Sequence, residues 1–407
     1  RLAWPAPATP EAAIDEAEHD LATLLDLFAV ARPATARGAA RYLLEENLHL
    51  ARVMRSRFAR WELRYLTPWD GARITSGAAR AWLAGERLTA RPYAPTALAR
   101  FAACPYQFFL RSVLRLEETR APQPVERLDA ATRGVLVHRA LSRLTAEMER
   151  RGWLAGQAAP PPEHLDEARV LAREITRAAA AEVRDTFAPR IERVFDGEID
   201  ELAADVDGFV VATFREAPWV PHRSDLGFGL AAGAASDPRS TAEPARVGPF
   251  LLRGAIDAVE KHAFTGELRV TDFKTGVDDS ARTIVIGRGE ILQPVLYAMA
   301  LDAHGAALGT EGVVGSGRLS FASARGGYRE KSVLFDKGAQ RAGMLVLETI
   351  DAAIDRGILP ALPRKGACDG CAFRGACGPD EERRARIKDD RRDELVRGEL
   401  DALRNRP

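Results

Sequence analysis

The chain has few of the features that define several other classes of protein. Its 407 residues include only 4 cysteines, and no apolar run approaches the roughly 18 residues of a membrane span. Basic and acidic residues balance at 58 each, so any path for nucleic acid would have to be a local one. No G-x-x-x-x-G-K-[ST] motif occurs, which excludes a Walker-type ATPase within this sequence. We expect a globular protein of two or three domains.

Neither a signal peptide nor a membrane segment is visible, and we expect a cytoplasmic protein with no membrane partner. The first residue is Arg1 rather than methionine, which is compatible with a fragment of a longer protein.

The few cysteines are clustered. Cys368, Cys371 and Cys377 lie together in "CDGCAFRGACG", and Cys104 stands far upstream in "FAACPYQFFL". A secreted disulfide framework has many cysteines in a short chain, whereas this pattern favours a reduced cytosol and a metal site. Ligand identity alone leaves three readings open: a tetrahedral zinc site, an iron–sulfur cluster and unligated thiols.

Hydrophobic periodicity predicts helices in the first half of the chain. The predicted helical ranges are 11–60, 78–88, 97–103 with Thr96 as N-cap, 130–147 and 162–217, with a break at "TPWDG" (67–71) and a loop over 153–163. We therefore place a boundary between a helical segment, residues 1–66, and a second domain, residues 67–407.

Further along the chain the period changes from helical to alternating. Strands are predicted over 250–260, 266–274 and 317–324, after an exposed excursion at 229–247, and the first two strands are joined by a hairpin turn at "KHAFTG". Helices follow at 290–304, 337–357 and over the charged last 25 or so residues. This order predicts an α/β or α+β core.

Two carboxylates and a lysine are predicted to converge on the sheet. In "LRVTDFK" alternation puts Asp272 and Lys274 on one side of a strand, and Asp257 lies on the preceding, antiparallel strand. Carboxylates hold Mg²⁺, which activates water, and a lysine stabilises developing negative charge. The set suits phosphodiester hydrolysis. The alternative is a surface strand with an Asp272–Lys274 salt bridge.

Other polar residues occur at helical spacing. "RGVLVHRAL" places His138 on one helical face with Gly134, and "QPVLYAMA" places Gln293 and Tyr297 one turn apart. Each signal is weak alone, since a single histidine is more often structural than a ligand. Two further acids, Glu260 and Glu290, are expected to be solvated charges without a role.

Six segments together resemble a known family. "CPYQFFLRSVL", "GVLVH", "RGAID", "TDFKTG", "QPVLYA" and "CDGCAFRGACG" occur in the order typical of RecB/AddB-type nucleases of the PD-(D/E)xK superfamily. The sequence resembles in particular the C-terminal iron–sulfur nuclease domain of AddB-like subunits of bacterial helicase–nucleases, over about residues 67–407. The resemblance implies an α/β, restriction-endonuclease-like core, a mixed central sheet flanked by helices.

The resemblance also implies roles for individual residues. His138, Asp257 and Asp272 would bind the catalytic Mg²⁺ or Mn²⁺. Asp257, Asp272 and Lys274 would be catalytic, with Gln293 and Tyr297 lining the active site or touching DNA.

By the same resemblance, Cys104, Cys368, Cys371 and Cys377 would ligate a [4Fe–4S] cluster. The cluster would join the two ends of the nuclease domain. By analogy with a disulfide, such a cross-link is worth about 5 kcal/mol of chain entropy. Zinc remains the chemical alternative.

The function expected from this resemblance is a metal-dependent deoxyribonuclease of exonuclease type, acting in double-strand break repair and end resection. It would cut single strands delivered by an AddA-like helicase subunit or by a helicase region of its own, of which residues 1–66 could be the end. One alternative is a stand-alone RecB-like nuclease of CRISPR adaptation or antiphage defence. The other is a non-catalytic iron–sulfur module that binds DNA or scaffolds a partner.

Overall fold

The computed structural model describes residues 6–29, 33–117, 127–154, 162–213, 218–278, 284–378, 380–388 and 394–407. No helix in these ranges is long and apolar enough to cross a bilayer. The helices are α1 (Glu16–Ala29), α2 (Pro33–Glu46), α3 (Leu48–Trp61), α4 (Gly77–Ala84), α5 (Pro95–Ala103), α6 (Pro105–Phe108), α7 (Ala130–Arg150), α8 (Leu165–Phe187), α9 (Glu192–Thr213), α10 (Gln293–His304), α11 (Lys337–Arg356), α12 (Arg374–Cys377), α13 (Glu381–Ile387) and α14 (Glu394–Arg404).

The strands are β1 (Gly71–Arg73), β2 (Trp219–Phe228), β3 (Ala245–Val247), β4 (Phe250–Leu252), β5 (Gly254–His262), β6 (Leu268–Lys274), β7 (Val314–Phe321), β8 (Glu330–Leu334) and β9 (Ile358–Pro360). Two short antiparallel pairs, β1 with β9 and β3 with β4, accompany the main sheet.

The main sheet has five strands in the order β2-β5-β6-β7-β8. β6 and β7 run parallel, and the other neighbours are antiparallel. Parallel neighbours need a long crossover, and here it carries α10. The predicted fold class, a mixed central sheet flanked by helices, is confirmed.

Helices cover both faces of this sheet. Leu268 and Val270 of β6 belong to the core shared with α10 and α11. On the opposite face, Phe273 of β6 packs edge-on against Phe209 of α9, beside a second core formed by α7, α8 and α9. Alternation along β6 therefore divides its side chains between two hydrophobic layers.

A glycine allows α10 to lie close to the sheet. A Cβ at Gly317 of β7 would stand 2.0 Å from the carbonyl oxygen of Pro294, in the first turn of α10. Because that neighbour is backbone, a side chain at this position would push the start of the helix away. The position of this helix start is important because α10 begins at Gln293, one of the predicted site residues.

Side-chain caps fix the start of other helices. Asp129 accepts a hydrogen bond from the Thr132 N–H (2.8 Å) at the N-terminus of α7, and Asp336 accepts one from the Ala339 N–H (2.8 Å) at that of α11. The prediction of Thr96 as the N-cap of α5 is wrong. α5 begins at Pro95 with Ala94 as N-cap, because proline suits the first helical position, and Thr96 lies inside the helix.

Several predicted elements are divided in the structure. Range 250–260 contains β4 and β5, because the chain leaves the β3–β4 pair at Arg253 and enters the main sheet at Gly254. Range 162–217 contains α8 and α9, separated at Ala188, which is left-handed (φ 42°) and precedes a proline. The charged C-terminal range contains α13 and α14, and residues 389–393 between them lie outside the described residues, as do 155–161 of the predicted loop and 214–217 at the end of range 162–217.

Buried charges connect residues on both sides of the predicted boundary at 66–67. The Lys388 ammonium is 1% exposed and donates hydrogen bonds to the carbonyls of Ala59 (2.6 Å) and Tyr65 (3.2 Å). It also lies 3.2 Å from Asp70, whose carboxylate pairs with Arg384 as well. The segment of α13 and Lys388 therefore packs against α3 and the turn that follows it.

Candidate functional site

The two carboxylates predicted to converge lie on neighbouring strands. β5 and β6 are antiparallel with Ala258 opposite Thr271. Asp257 and Asp272 are the next residues along the two strands and therefore lie side by side. Asp272 is 7% exposed. The Asp257 Oδ2 accepts a hydrogen bond from the Phe273 N–H (2.7 Å), which fixes its carboxylate beside β6.

His138 of α7 contacts acceptors with both ring nitrogens. Its Nδ1 lies 2.9 Å from the Asp257 Oδ1, and its Nε2 lies 3.0 Å from the carbonyl oxygen of Phe273. Since a carbonyl only accepts, and a carboxylate accepts when ionised, the imidazolium form satisfies both contacts. Burial lowers the pKa of His138, but the Asp257 hydrogen bond and the charges of Asp257 and Asp272 outweigh it and raise the pKa.

Burial raises the pKa of Asp272 to about 6, and the nearby charge of Asp257 contributes, although Lys274 opposes both effects. The Lys274 Nζ lies 2.6 Å from the Asp272 Oδ2. That buried oxygen nevertheless accepts no hydrogen bond of good geometry. It is therefore a carboxylate oxygen with an unfilled coordination direction.

Gln293 and Tyr297 are both buried in the first two turns of α10 and face the same cleft. Burial, with the charges of Asp272 and Asp257, raises the pKa of Tyr297 well above its ordinary value, so the phenol stays neutral. A Cβ at Gly254 would stand 2.9 Å from the Tyr297 ring, so this glycine makes room for the tyrosine.

The structure thus brings all six of the predicted residues of this site into one cleft of about 810 Å³. The cleft is lined by His138, Asp257, Asp272, Lys274, Gln293 and Tyr297. The open site has several polar groups at its floor and is the size expected of a ligand-binding cleft.

Both carboxylates are turned toward protein cations, Asp257 toward His138 and Asp272 toward Lys274. In this arrangement no group of three or more His, Cys, Asp or Glu side chains in the described ranges is placed to hold a metal ion. The donor set still fits a hard divalent cation, because the carboxylates of Asp257 and Asp272 line the same cleft and one Asp272 oxygen has no hydrogen-bond partner.

The four cysteines line a second cavity, of about 260 Å³. All four are free thiols, and Cys104 is buried. Burial raises the pKa of Cys368 and of Cys377 to about 11 each, so without a cation the thiols remain protonated. The Gln107 amide donates toward the Cys371 sulfur at 3.7 Å.

Two arginines, one of them buried, lie beside this cavity. Arg60 of α3 donates to the carbonyl oxygen of Cys377 and pairs with Glu381 at 3.2 Å. Arg384, which is 1% exposed, pairs with Glu381 and Asp70. Positive charge at this position would stabilise thiolates.

One expectation about the neighbouring acids is wrong. Glu260 is 6% exposed and not solvated; it pairs with Arg269 and Arg318 (2.9 Å each) and accepts a hydrogen bond from Thr271 (2.6 Å). A buried carboxylate of this kind requires such partners to compensate for the loss of water. Glu290 is half-buried and pairs with Arg364.

Sequence analysis missed several cleft residues. They are Thr96, Arg139, Ser142, Arg143, Asp225 and Ser236. Of the three on α7, Ser142 follows His138 by four residues and could have been found by helical periodicity, and Arg143 follows Arg139 by the same spacing. The others come from separate parts of the chain, and no local pattern marks them.

The chain matches a known family model over residues 92–378, well over half of its length: the PD-(D/E)XK nuclease superfamily. A search of the curated proteins finds no match. The chain belongs to the PD-(D/E)XK nuclease superfamily, and its mixed five-stranded sheet is consistent with the fold of that superfamily.

Proposed function

We propose that the protein is a Mg²⁺-dependent (or Mn²⁺-dependent) deoxyribonuclease whose active site is the cleft between α7, α10 and the ends of β5 and β6. The convergence of His138, Asp257, Asp272 and Lys274 carries the proposal. Bound Mg²⁺ would be held by Asp257 and Asp272, with His138 in reach, and would supply an activated water and neutralise phosphate charge.

The chain's own side chains would complete the chemistry. The Lys274 ammonium is half-exposed at the cleft surface, where it can stabilise negative charge on the scissile phosphate. The neutral Tyr297 phenol can donate a hydrogen bond to a phosphate or sugar oxygen, and Gln293 can do so with its amide. In its neutral form, His138 could offer one ring nitrogen to the cation.

We further propose that Cys104, Cys368, Cys371 and Cys377 hold a [4Fe–4S] cluster. The four cysteines line one cavity of about 260 Å³. Their order, one before the nuclease core and three after it, is that of the family which the six motifs resemble, and this supports the cluster. A single zinc ion held by the same four thiolates is the chemical alternative.

The expected biological role is that of an AddB-like nuclease in the cytoplasm, trimming single strands at double-strand breaks with a helicase partner. A stand-alone RecB-like nuclease of CRISPR adaptation or antiphage defence would have the same site. A non-catalytic iron–sulfur DNA-binding or scaffolding module would not need Lys274 and Asp272 in contact.

Cleavage of end-labelled linear DNA in Mg²⁺ tests the nuclease proposal, with wild type and Lys274→Ala compared on single-stranded and duplex substrates. Wild type should cut and Lys274→Ala should not. Lys261→Ala, at the far end of β5 from the cleft, is the matched control and should cut normally. Equal cleavage by wild type and Lys274→Ala would refute the assignment.

A further inference from the structure

We propose that Arg139 and Arg143 of α7 bind the phosphodiester backbone of a DNA strand lying in the active-site cleft. Glu182 of α8 holds both arginines when no DNA is bound. The inference rests on the proposed function and identifies how that site grips its substrate beyond the residues at its centre.

Both arginines line the cleft that also holds the proposed catalytic residues Asp257, Asp272 and Lys274. Arg139 directly follows His138, and Arg143 lies one turn further along α7, beside Ser142. A strand with a phosphate at the Asp257–Asp272 pair and continuing along α7 would therefore meet two guanidinium groups in succession. A guanidinium group can donate two parallel hydrogen bonds to two oxygens of one phosphate.

A single carboxylate now engages both arginines. The Arg143 Nη1 and Nη2 donate to the two oxygens of Glu182 (2.6 and 2.8 Å), and the Arg139 Nη1 lies 3.7 Å from the same group. The two-pronged contact to Arg143 is the geometry a phosphate would have. The Arg143 side chain is 43% exposed and that of Glu182 is 50%, and exposed pairs contribute little, so a polyanion can displace the carboxylate.

The other cations of the cleft are already paired with acids. Of its other cations among the described residues, His138 pairs with Asp257 and Lys274 with Asp272. Asp225, a further acid of the cleft lining, accepts a hydrogen bond from the Ser236 N–H (2.6 Å). Among the described residues that line the cleft, Arg139 and Arg143 are the cations whose charge is directed to an exposed acid, Glu182, rather than to Asp257 or Asp272.

The test is equilibrium binding of a short fluorescein-labelled oligothymidylate, followed by anisotropy in EDTA so that nothing is cut. Each lost phosphate contact lowers the salt slope by about 0.7, which is about fivefold in affinity at about 0.1 M salt. The Arg139→Gln/Arg143→Gln double variant should therefore bind about 25-fold more weakly, with a slope lower by about 1.4. Glu182→Gln should bind about two- to fivefold more tightly.

Arg177→Gln is the matched control. Arg177 is also exposed, lies on α8, pairs with an acid (Asp200, 2.9 Å) and is remote from the cleft lining. It should bind DNA as wild type does. In Mg²⁺ the double variant should raise KM with kcat retained, because neither arginine touches the reacting atoms.

Unchanged affinity and salt slope in the double variant would overturn the inference, as would an equal loss in Arg177→Gln. If wild type cuts DNA while the double variant binds normally, this inference fails and the proposed function stands. If wild type neither binds nor cuts DNA, both fail together.

Discussion

At the scale of single residues, two buried carboxylates on neighbouring strands of the sheet, Glu260 and Asp272, have pKa values shifted in opposite directions. Glu260 sits among Arg269, Arg318 and Thr271, and although burial opposes ionisation, these partners lower its pKa. Asp272 has one ammonium for a partner and a second carboxylate nearby, and its pKa is raised to about 6. The first group is built for stability, and the second is destabilised in the way that functional carboxylates often are.

Asp272→Asn should therefore stabilise the metal-free protein while abolishing cleavage. The difference between 3.8 and about 6 in the pKa of Asp272 corresponds to about 3 kcal/mol near neutral pH. Urea unfolding in EDTA should show a gain of up to that size. Glu260→Gln is the control in the opposite direction, with a loss of about 3 kcal/mol because two buried arginines lose their counter-charge. A destabilised Asp272→Asn would contradict this electrostatic account.

The same residues predict how stability depends on pH. Asp272 binds its proton more tightly in the folded chain, so the metal-free protein loses stability as pH rises from about 4 to about 6. The pKa of His138 is also raised in the folded chain. Its contribution to folding stability is therefore complete below about pH 6.5 and is lost as pH rises through the pKa of the folded state. Both effects weaken the metal-free fold with rising pH.

Mg²⁺ competes with these protons, so its stabilising effect should grow with pH. Thermal unfolding with and without Mg²⁺ should show a Tm increment a few degrees larger at about pH 8 than at about pH 5.5. In Asp272→Asn the Tm increment should be small at both pH values. A Tm increment independent of pH in wild type would show that the cation binds elsewhere.

At the scale of elements, the position of α10 depends on one glycine of β7. Gly317→Ala should cost about 3 kcal/mol or more, because the new methyl group would meet the Pro294 carbonyl and the helix must shift. Cleavage should fall as well, since Gln293 and Tyr297 move with the helix. The measurements are urea unfolding and the initial rate of cleavage.

Gly315→Ala, two residues earlier on the same strand, is the control. The three atoms nearest its Cβ all belong to the Glu267 side chain, which is flexible and can swing aside, whereas those at Gly317 are backbone. The change should be nearly neutral. Equal stability of the two variants would mean that α10 is not held where the structure has it.

The sequence predicted β6, β7 and α10 because their patterns are regular and their apolar faces are buried. It did not predict β2, whose "WVPHRSDLGF" includes a proline and several polar residues, because pairing with β5 and not local propensity makes this edge segment a strand. The sequence also did not predict that the chain changes sheets at Arg253, because β4 and β5 together form one alternating run. Such features depend on tertiary contacts.

At the scale of the whole molecule, two segments far apart in the chain meet at the cysteine cavity. Cys104 lies at the end of α5, and the other three cysteines lie between β9 and α13. The order of motifs was enough to predict that these cysteines assemble. The buried contacts of Lys388 with Ala59 and Tyr65 were not predictable, because more than 300 positions separate the partners and no periodic pattern links them.

Cys371→Ser should remove the proposed cluster and the link it provides. Visible absorbance and bound iron should fall, and urea unfolding should show a loss of several kcal/mol, the scale of a cross-link over a long loop. Asp369→Asn, in the same loop and lining the same cavity, should keep its colour and iron. A colourless wild type with one zinc per chain would refute the cluster and leave the cysteine site as a zinc site.

The most direct test of the central claim is the initial rate of cleavage of end-labelled linear DNA, titrated with Mg²⁺ after EDTA treatment, for wild type and Asp272→Asn. Wild type should show no cleavage in EDTA and a saturable rise with Mg²⁺, and Asp272→Asn should stay inactive at every concentration while remaining folded. Mg²⁺-dependent cleavage of similar rate in Asp272→Asn would contradict the account, because the cation would then act at a different site.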